Sequence, residues 1–431
     1  MNNNTSKFQY ILMGVFAFLI LVGVLLFSFS KGKGGVVANI TIWGTVSNEV
    51  FDGVVYDSPV FKDKTVKLSY FHKNSVDFNS VLVDALASGN GPDAIFAPHD
   101  FIIKNRNKLY SIPFQTITER TFIDTYIDES SIFLFSSGII GIPVTVDPLV
   151  MYWNKDIFSS AGIALPPKEW AQFFDLSSSL TKKDGALNIS KSASALGEFG
   201  NVTNAKELIT ALIIQAGNPI VTRRQSGPTG VLDENFNKAT PPTEAALNFY
   251  TQFSNPAKSF YSWNRSLPSS QDFFTAGDLA VYFGFASELP IIKLKNPNIN
   301  FDVATIPQSQ SGENNTTYGR MMAFAITNGT RNLPQTFTTI LALSQKSSAE
   351  NFAKNLNVVP ARRDSVSQIP EGIYNPVFYR SALWARGWLD PDSVATTAIF
   401  REMIESITSG RARISEAIRR ADSEIDRLFS Q

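Results

Sequence analysis

Residues 138–183 constrain the fold more than any other stretch, reading GIIGIPVTVDPLVMYWNKDIFSSAGIALPPKEWAQFFDLSSSLTKK. Ile139 and Ile140 make a short apolar run that Gly141 breaks. An extended Thr-Val-Asp crossing at 145–147 leads into residues 148–153, which are too β-branched and aromatic for an ordinary surface loop. Asn154, Lys155 and Asp156 turn the chain into a short helix that Gly162 ends. Pro166 and Pro167 open a longer helix carrying Trp170, Phe173, Phe174 and Leu180, proline being favoured at a first helical position where its missing N–H has no partner to lose.

At 431 residues the chain is long for one hydrophobic core and comfortable for two. Lys+Arg and Asp+Glu number 38 each, a balance that argues against nucleic-acid binding. The absence of cysteine removes disulfides, thiolate nucleophiles, cysteine-ligated metals and a lipid-bearing cysteine from consideration. With His72 and His99 the only histidines, no metal site and no cofactor are expected. Aromatic residues reach 12%, including 34 Phe, a surplus over core needs that suits a protein offering flat rings to a ligand.

Residues 11–29 carry no charge over 19 positions, enough to span a bilayer at about 1.5 Å rise per residue. A secretory signal has a shorter apolar region of roughly 7–15 residues, although Val36, Val37 and Ala38 could pass as a cleavage site. The expectation is a retained transmembrane helix at 11–29 after a cytoplasmic N-terminus at 1–10, followed by a tether at 30–37 containing KGKGG. Lys7 before the span and Lys31 and Lys33 after it do not set its orientation.

Beyond the tether, residues 39–43 and 66–71 read as strands, 78–87 as a helix and 94–97 as a strand. β and α segments then alternate to Gly138, the pattern of a parallel sheet with helical crossovers. Residues 204–216 and 244–253 read as helices, 301–307 and 320–326 as strands and 334–343 as a helix, while 396–429 is amphipathic at helical spacing.

The order of residues 138–183 resembles the hinge-crossing segment of family 1 extracellular solute-binding proteins, the maltose-binding-protein-like receptors that feed ABC importers. ALASGNGPDAIFAPHD at 85–100 is similar to that family's S-G-x-G-P-D strand entry and binding-loop H-D, QDFFTAGDLAVYF at 271–283 to its F-x-x-G-x-A motif, and NVVPARR at 357–363 to its P-x-R segment. Lys168 and Glu169 stand where the family often has a Thr or Ser cap, and Ala97-Pro98 lacks the aromatic that precedes H-D in the maltose-type relatives. The resemblance covers roughly residues 38–430. It implies an α/β, two-lobed periplasmic-binding-protein fold with discontinuous, hinge-joined lobes: 38–145 with 299–345 as the first, 146–298 with 346–431 as the second.

The resemblance also implies where a ligand sits. Sugars are held by aromatic faces against their C–H patches and by carboxylates or amides on their hydroxyls. Asp147 aligns with the acidic residue that reaches the sugar from the hinge, or else caps the turn beside Pro148. Asp100 matches the binding-loop acid, or is an exposed loop acid, and His99 reads as a satisfied loop histidine. Trp43 follows the first strand and is either a cleft-edge ring or core. Phe285 stands where the family often has a stacking Trp, and of Trp384 and Trp388 one ring is expected to be core. Tyr318 and Arg320 put a cation near the third crossing, which suggests an anionic solute or a brace of the hinge. Trp153 and Trp170 read as core, and Trp263 has no assigned place.

The function so implied is a membrane-anchored, extracytoplasmic substrate-binding protein that hands a carbohydrate, an oligosaccharide by this reading, to separate ABC permease subunits. A monomer is expected, with no catalysis. The same fold holding an anion, polyamine or peptide is the alternative. A surface glycoside hydrolase would need two carboxylates about 5–10 Å apart across a cleft, and no motif marks such a pair.

Overall fold

The structure, a computed structural model, describes residues 37–62, 64–225, 227–309 and 315–430. The expected membrane span at 11–29 and the tether as far as residue 36 lie outside them. Among the described residues no helix is long and apolar enough to cross a membrane.

Strand β1 (Ala38–Gly44) alternates buried with less buried residues and pairs in parallel with β2 (Val66–His72) and β3 (Ala94–Pro98). Helix α1 (Asn48–Asp57) links β1 to β2, its N-terminus capped by the Ser47 hydroxyl, which accepts the Val50 N–H. The short helix α2 (His99–Lys104) leaves the end of β3.

Strand β4 (Ile142–Asn154) is 13 residues long and buried throughout. The extended crossing at 145–147 and the apolar run after it form a single strand. Pro143 and Pro148 have no N–H to give a ladder, yet both lie inside this strand. The ladder accommodates Pro143 through a register shift between Met322 and Ala323 on the antiparallel neighbour, and Pro148 lies opposite Gly319.

Downstream follow β5 (Ile189–Ser194), α3 (Ala205–Ala216), β6 (Leu279–Phe285), β7 (Phe301–Thr305), β8 (Thr317–Ile326), α4 (Lys346–Leu356), α5 (Ser393–Thr408) and α6 (Ile414–Phe429). The amphipathic tail is two helices because Gly410 takes a left-handed conformation (φ 72°) and turns the chain back, so that α6 packs on α5. The strands lie in the order β2-β1-β3-β8-β4-β6-β5. Residues 142–148 of β4 pair with β8, while 149–154 pair with β6 and β7. β4 and β8 therefore pass from one lobe to the other and carry the junction.

Two segments lie apart from where the sequence reading puts them. β7 pairs with the second-lobe half of β4, and α4 packs against α1 while Val359 and Pro360 pair with Val146 and Thr145 of β4, on the first-lobe side. Apolar periodicity marks a helix or strand as core-facing without saying which core it faces.

Most of the aromatic surplus is core. Phe51 stacks on Tyr70 at 3.8 Å between centroids, and Phe96 on Phe324 at 4.4 Å. In the other lobe Trp170, Phe173, Phe249 and Phe283 interlock with centroids 5.4–5.9 Å apart. Trp170 precedes its helix, Gln172–Leu180, rather than lying within it. The Gln172 side chain accepts the Lys168 and Glu169 N–H groups at 2.8 and 3.0 Å, supplying the cap that the sequence lacks at 168–169. Trp263 is fully buried, donating from Nε1 to Asn201 at 3.0 Å. Phe51 is fully buried among Tyr70, Phe96, Phe324 and Phe352. Phe51→Ala is expected to lower the unfolding free energy by about 3–5 kcal/mol, read from the urea midpoint; a loss under about 1 kcal/mol would contradict this packing.

Candidate functional site at the strand crossing

At the junction β4 presents Asp147 directly opposite Arg320 of β8. Asp147 is buried, and its two carboxylate oxygens accept the Ser287 N–H at 3.0 Å and the Ser287 hydroxyl at 2.6 Å. Burial pushes its carboxyl up to about 6, against the pull of the Ser287 bonds and the Arg320 charge. Ser287 is held in turn by its neighbour Glu288. The Glu288 carboxylate accepts from Asn204 (2.7 Å), Gln271 (2.8 Å), the Phe285 N–H (3.0 Å) and the Tyr282 hydroxyl. The turn after β6 is thus fixed to α3 and to the crossing strand.

The Arg320 guanidinium lies 4.2 Å over the Phe285 ring and reaches Glu207 of α3 at 3.4 Å. Phe285 meets Tyr318 edge-on, and Tyr318 lies 6.2 Å from the His99 ring. His99 is buried, its Nδ1 accepting the Met321 N–H at 3.1 Å, and burial pushes the ring down to about 4. Beside it, burial pushes the Asp100 carboxyl up, but His99, the Ser393 hydroxyl, Lys206 and Arg320 outweigh that and hold it below its ordinary value.

Lys206 of α3 is buried with Asp390 at 2.5 Å and Thr396 at 2.7 Å, its ammonium 5.7 Å from the Trp388 ring. Lys104 of α2 pairs with Asp392, ahead of α5, at 2.7 Å. Oppositely charged groups from both lobes therefore meet at one crossing.

Of the residues expected at a ligand site, Asp100, Asp147, Phe285, Tyr318, Arg320 and Trp388 come together. Trp43 and Trp384 stand outside the group: Lys73 covers Trp43 at 3.9 Å, and Trp384 ends the helix Asn375–Trp384. Phe285 is 1% and Tyr318 6% exposed, so neither ring is a bare stacking platform; Arg320 occupies the face of Phe285. Trp388 is buried against Phe400.

Sequence reasoning missed Lys206, Glu207, Ser287 and Asp390. Lys206 offered a signal, since it occupies an otherwise apolar face of α3. A buried lysine needs a partner. Ser287 and Asp390 carry no such mark.

The family model for bacterial extracellular solute-binding proteins matches residues 61–376, well over half of the chain. The chain belongs to this family. Among its curated relatives is a Brucella abortus (strain 2308) protein provisionally named only as a binding protein, 24% identical over 56% of this chain and 55% of that one. A Streptococcus pneumoniae (strain R6) maltooligosaccharide ABC transporter solute-binding lipoprotein is 25% identical over 65% of this chain and 62% of its own length. This solute-binding protein thus spans about half to three-fifths of these relatives' lengths. Among solved structures, the cyclic α-maltosyl-1,6-maltose binding protein of Arthrobacter globiformis superposes with a TM-score of 0.74 at 15% identity, over 91% of this chain and 99% of that one. That likeness shows the two-lobed fold.

The raised Asp147 carboxyl has a signed consequence. The native state keeps a proton that the unfolded chain gives up near pH 4, so wild type loses stability relative to Asp147→Asn as pH rises from about 4 to about 6. The loss reaches up to ~3 kcal/mol and is constant above that window. Urea unfolding of both proteins at pH 4 and pH 7 measures it; parallel pH profiles would contradict the burial.

Proposed function

We propose that this protein is the solute-receiving subunit of an ABC importer, held at the outer face of the membrane by its N-terminal segment. It binds a carbohydrate, an oligosaccharide by this reading, between its lobes and passes it unaltered to separate permease subunits. One observation carries the reading: half-exposed Arg320 on a hinge strand faces partly exposed Glu207 on the second lobe, beside Asp100 on the first. Such a set can donate to and accept from sugar hydroxyls from both lobes at once, so a bound sugar would favour their closure. The family membership and the sugar named for the Streptococcus pneumoniae relative support it.

In this reading Arg320, Glu207 and Asp100 touch the solute. Asp147 orients Arg320 from beneath, Tyr318 and Phe285 form the floor, and Trp388 supports Lys206. Trp43 and Trp384 serve only at the rim, if an oligosaccharide extends so far. The first lobe runs from β1 into the start of β4 and returns through the end of β8 and α4; the second holds β5 to β7 with α3, α5 and α6. The exposed guanidinium also supports the second reading, an anionic solute.

Calorimetric titration of residues 36–431 with maltotetraose, glucuronate and putrescine tests this. Maltotetraose is expected to bind, and Glu207→Gln to weaken it at least tenfold, about 1.4 kcal/mol. Binding of glucuronate alone would replace the carbohydrate assignment with the anion reading. Binding unchanged by Glu207→Gln would remove this group from the site.

A further inference from the structure

The junction leaves one buried ionisable group unused. Glu129 lies in the 3-10 turn Asp128–Phe133 of the first lobe, 3% exposed, and neither carboxyl oxygen has a hydrogen-bond partner. It is wedged between β8 and residues 385–387, at a glycine of each. A Cβ on Gly319 of β8 would collide with Oε2, and one on Gly387, just past the short strand Ala385–Arg386, would stand 3.1 Å from Oε1. The space at both glycines is taken by this carboxyl.

The carboxyl borders a cavity of about 540 Å³ between the lobes, whose other wall includes Val221, Thr222 and Arg223. Those residues belong to a hairpin tied to α6 by the Gly230 N–H to Asp426 (2.6 Å), so this wall moves with the second lobe. Arg223 closes the gap, donating to the Ile132 carbonyl at 2.9 Å and lying 4.8 Å over the Phe135 ring.

The charged and titratable neighbours do not pair with Glu129. Asp128, on the same turn, is held by Arg363 and by Arg386 at 3.0 Å. From α2, His99 accepts the Met321 N–H on Nδ1, so above about pH 4 its ring is neutral with the proton on Nε2, which lies beside the same glycine as Oε1 and also has no partner. From β8, burial raises the Tyr318 phenol and keeps it neutral, while Arg320 is taken up by Glu207. The helix Glu119–Thr125 presents Arg120 and Asp124 to solvent as a pair, and Arg223 faces the cavity from the second lobe. Burial pushes the Glu129 carboxyl up to about 8, with Arg386 pulling the other way.

We propose that Glu129 is a positioning residue that couples closure of the lobes to the uptake of one proton. With the hairpin in place both carboxyl oxygens are buried and make no hydrogen bond, and the group is tolerated there as the neutral acid. When the second lobe swings away water reaches it, the proton leaves to solvent and the carboxylate is hydrated. Closing reverses this, the carboxylate taking one proton from solvent. The closed form is therefore favoured at low pH. Between the ordinary carboxyl range near 4.3 and about 8 the closed-to-open ratio falls up to tenfold per pH unit, and it is flat above. Applied to solute capture, the inference rests on the reading under Proposed function: affinity would decline over the same window.

Small-angle scattering of the solute-free protein from pH 5 to pH 9, wild type against Glu129→Gln, tests this without a ligand. Wild type is expected to expand with rising pH up to about 8, and the neutral isostere to lose that part of the change; Asp147 titrates in both and cancels. Superposable profiles would overturn the proposal. Carbon-13 NMR titration of the glutamate carboxyls gives a second reading: a Glu129 midpoint raised above 4.3 and coincident with the expansion supports the coupling, and one near 4.3 overturns it. Adding maltotetraose should show an affinity falling with pH more steeply in wild type than in Glu129→Gln. Absence of any maltotetraose binding would count against the carbohydrate reading, while the scattering and NMR results would still decide the role of Glu129.

Discussion

The structure depends on the backbone hydrogen bonding of one buried strand. β4 lies between β8 along its first half and between β6 and β7 along its second, with all of its residues buried. Buried N–H and C=O groups must find partners, and here the partners come from both lobes. Each lobe is therefore completed by a strand it shares with the other. Two prolines interrupt the ladder near Asp147, and a register shift on β8 accommodates the first.

Charge is concentrated where the strands cross. Arg320 with Glu207, Lys206 with Asp390 and Lys104 with Asp392 all bridge segments distant in sequence, and Asp147 is tied to the turn after β6 through Ser287. The exposed pairs contribute little to stability by themselves. The buried Lys206–Asp390 pair is different, because removing either partner would strand a charge away from water. Its neighbours Thr396 and Trp388 fix where the start of α5 meets α3, and so help set the shape of the junction from the second lobe.

Much of this was legible in the sequence. The helix at 78–87, the strand at 94–97 and the strand-to-helix passage after Asp147 follow from apolar spacing and from glycine and proline punctuation. The convergence of Asp100, Asp147, Tyr318 and Arg320 was legible through motif order. What was not legible is which core a helix faces, as with α4, and which polar residues become buried. Glu129 looks like a surface residue, because the glycines it packs against lie more than a hundred residues away, as does Asp147, the partner of Ser287. Phe285 is where motif order puts it, but a guanidinium from another strand covers the ring, which the sequence does not show.

The claim that a sugar is held at this crossing is tested most directly by hydrogen–deuterium exchange with and without saturating maltotetraose. The account predicts added protection in α2, around Asp147, in the turn after β6, in the first half of β8 and at the start of α3, with the outer strands β1 and β2 unchanged. Protection confined to another surface, or none at a concentration where binding is shown independently, would contradict it.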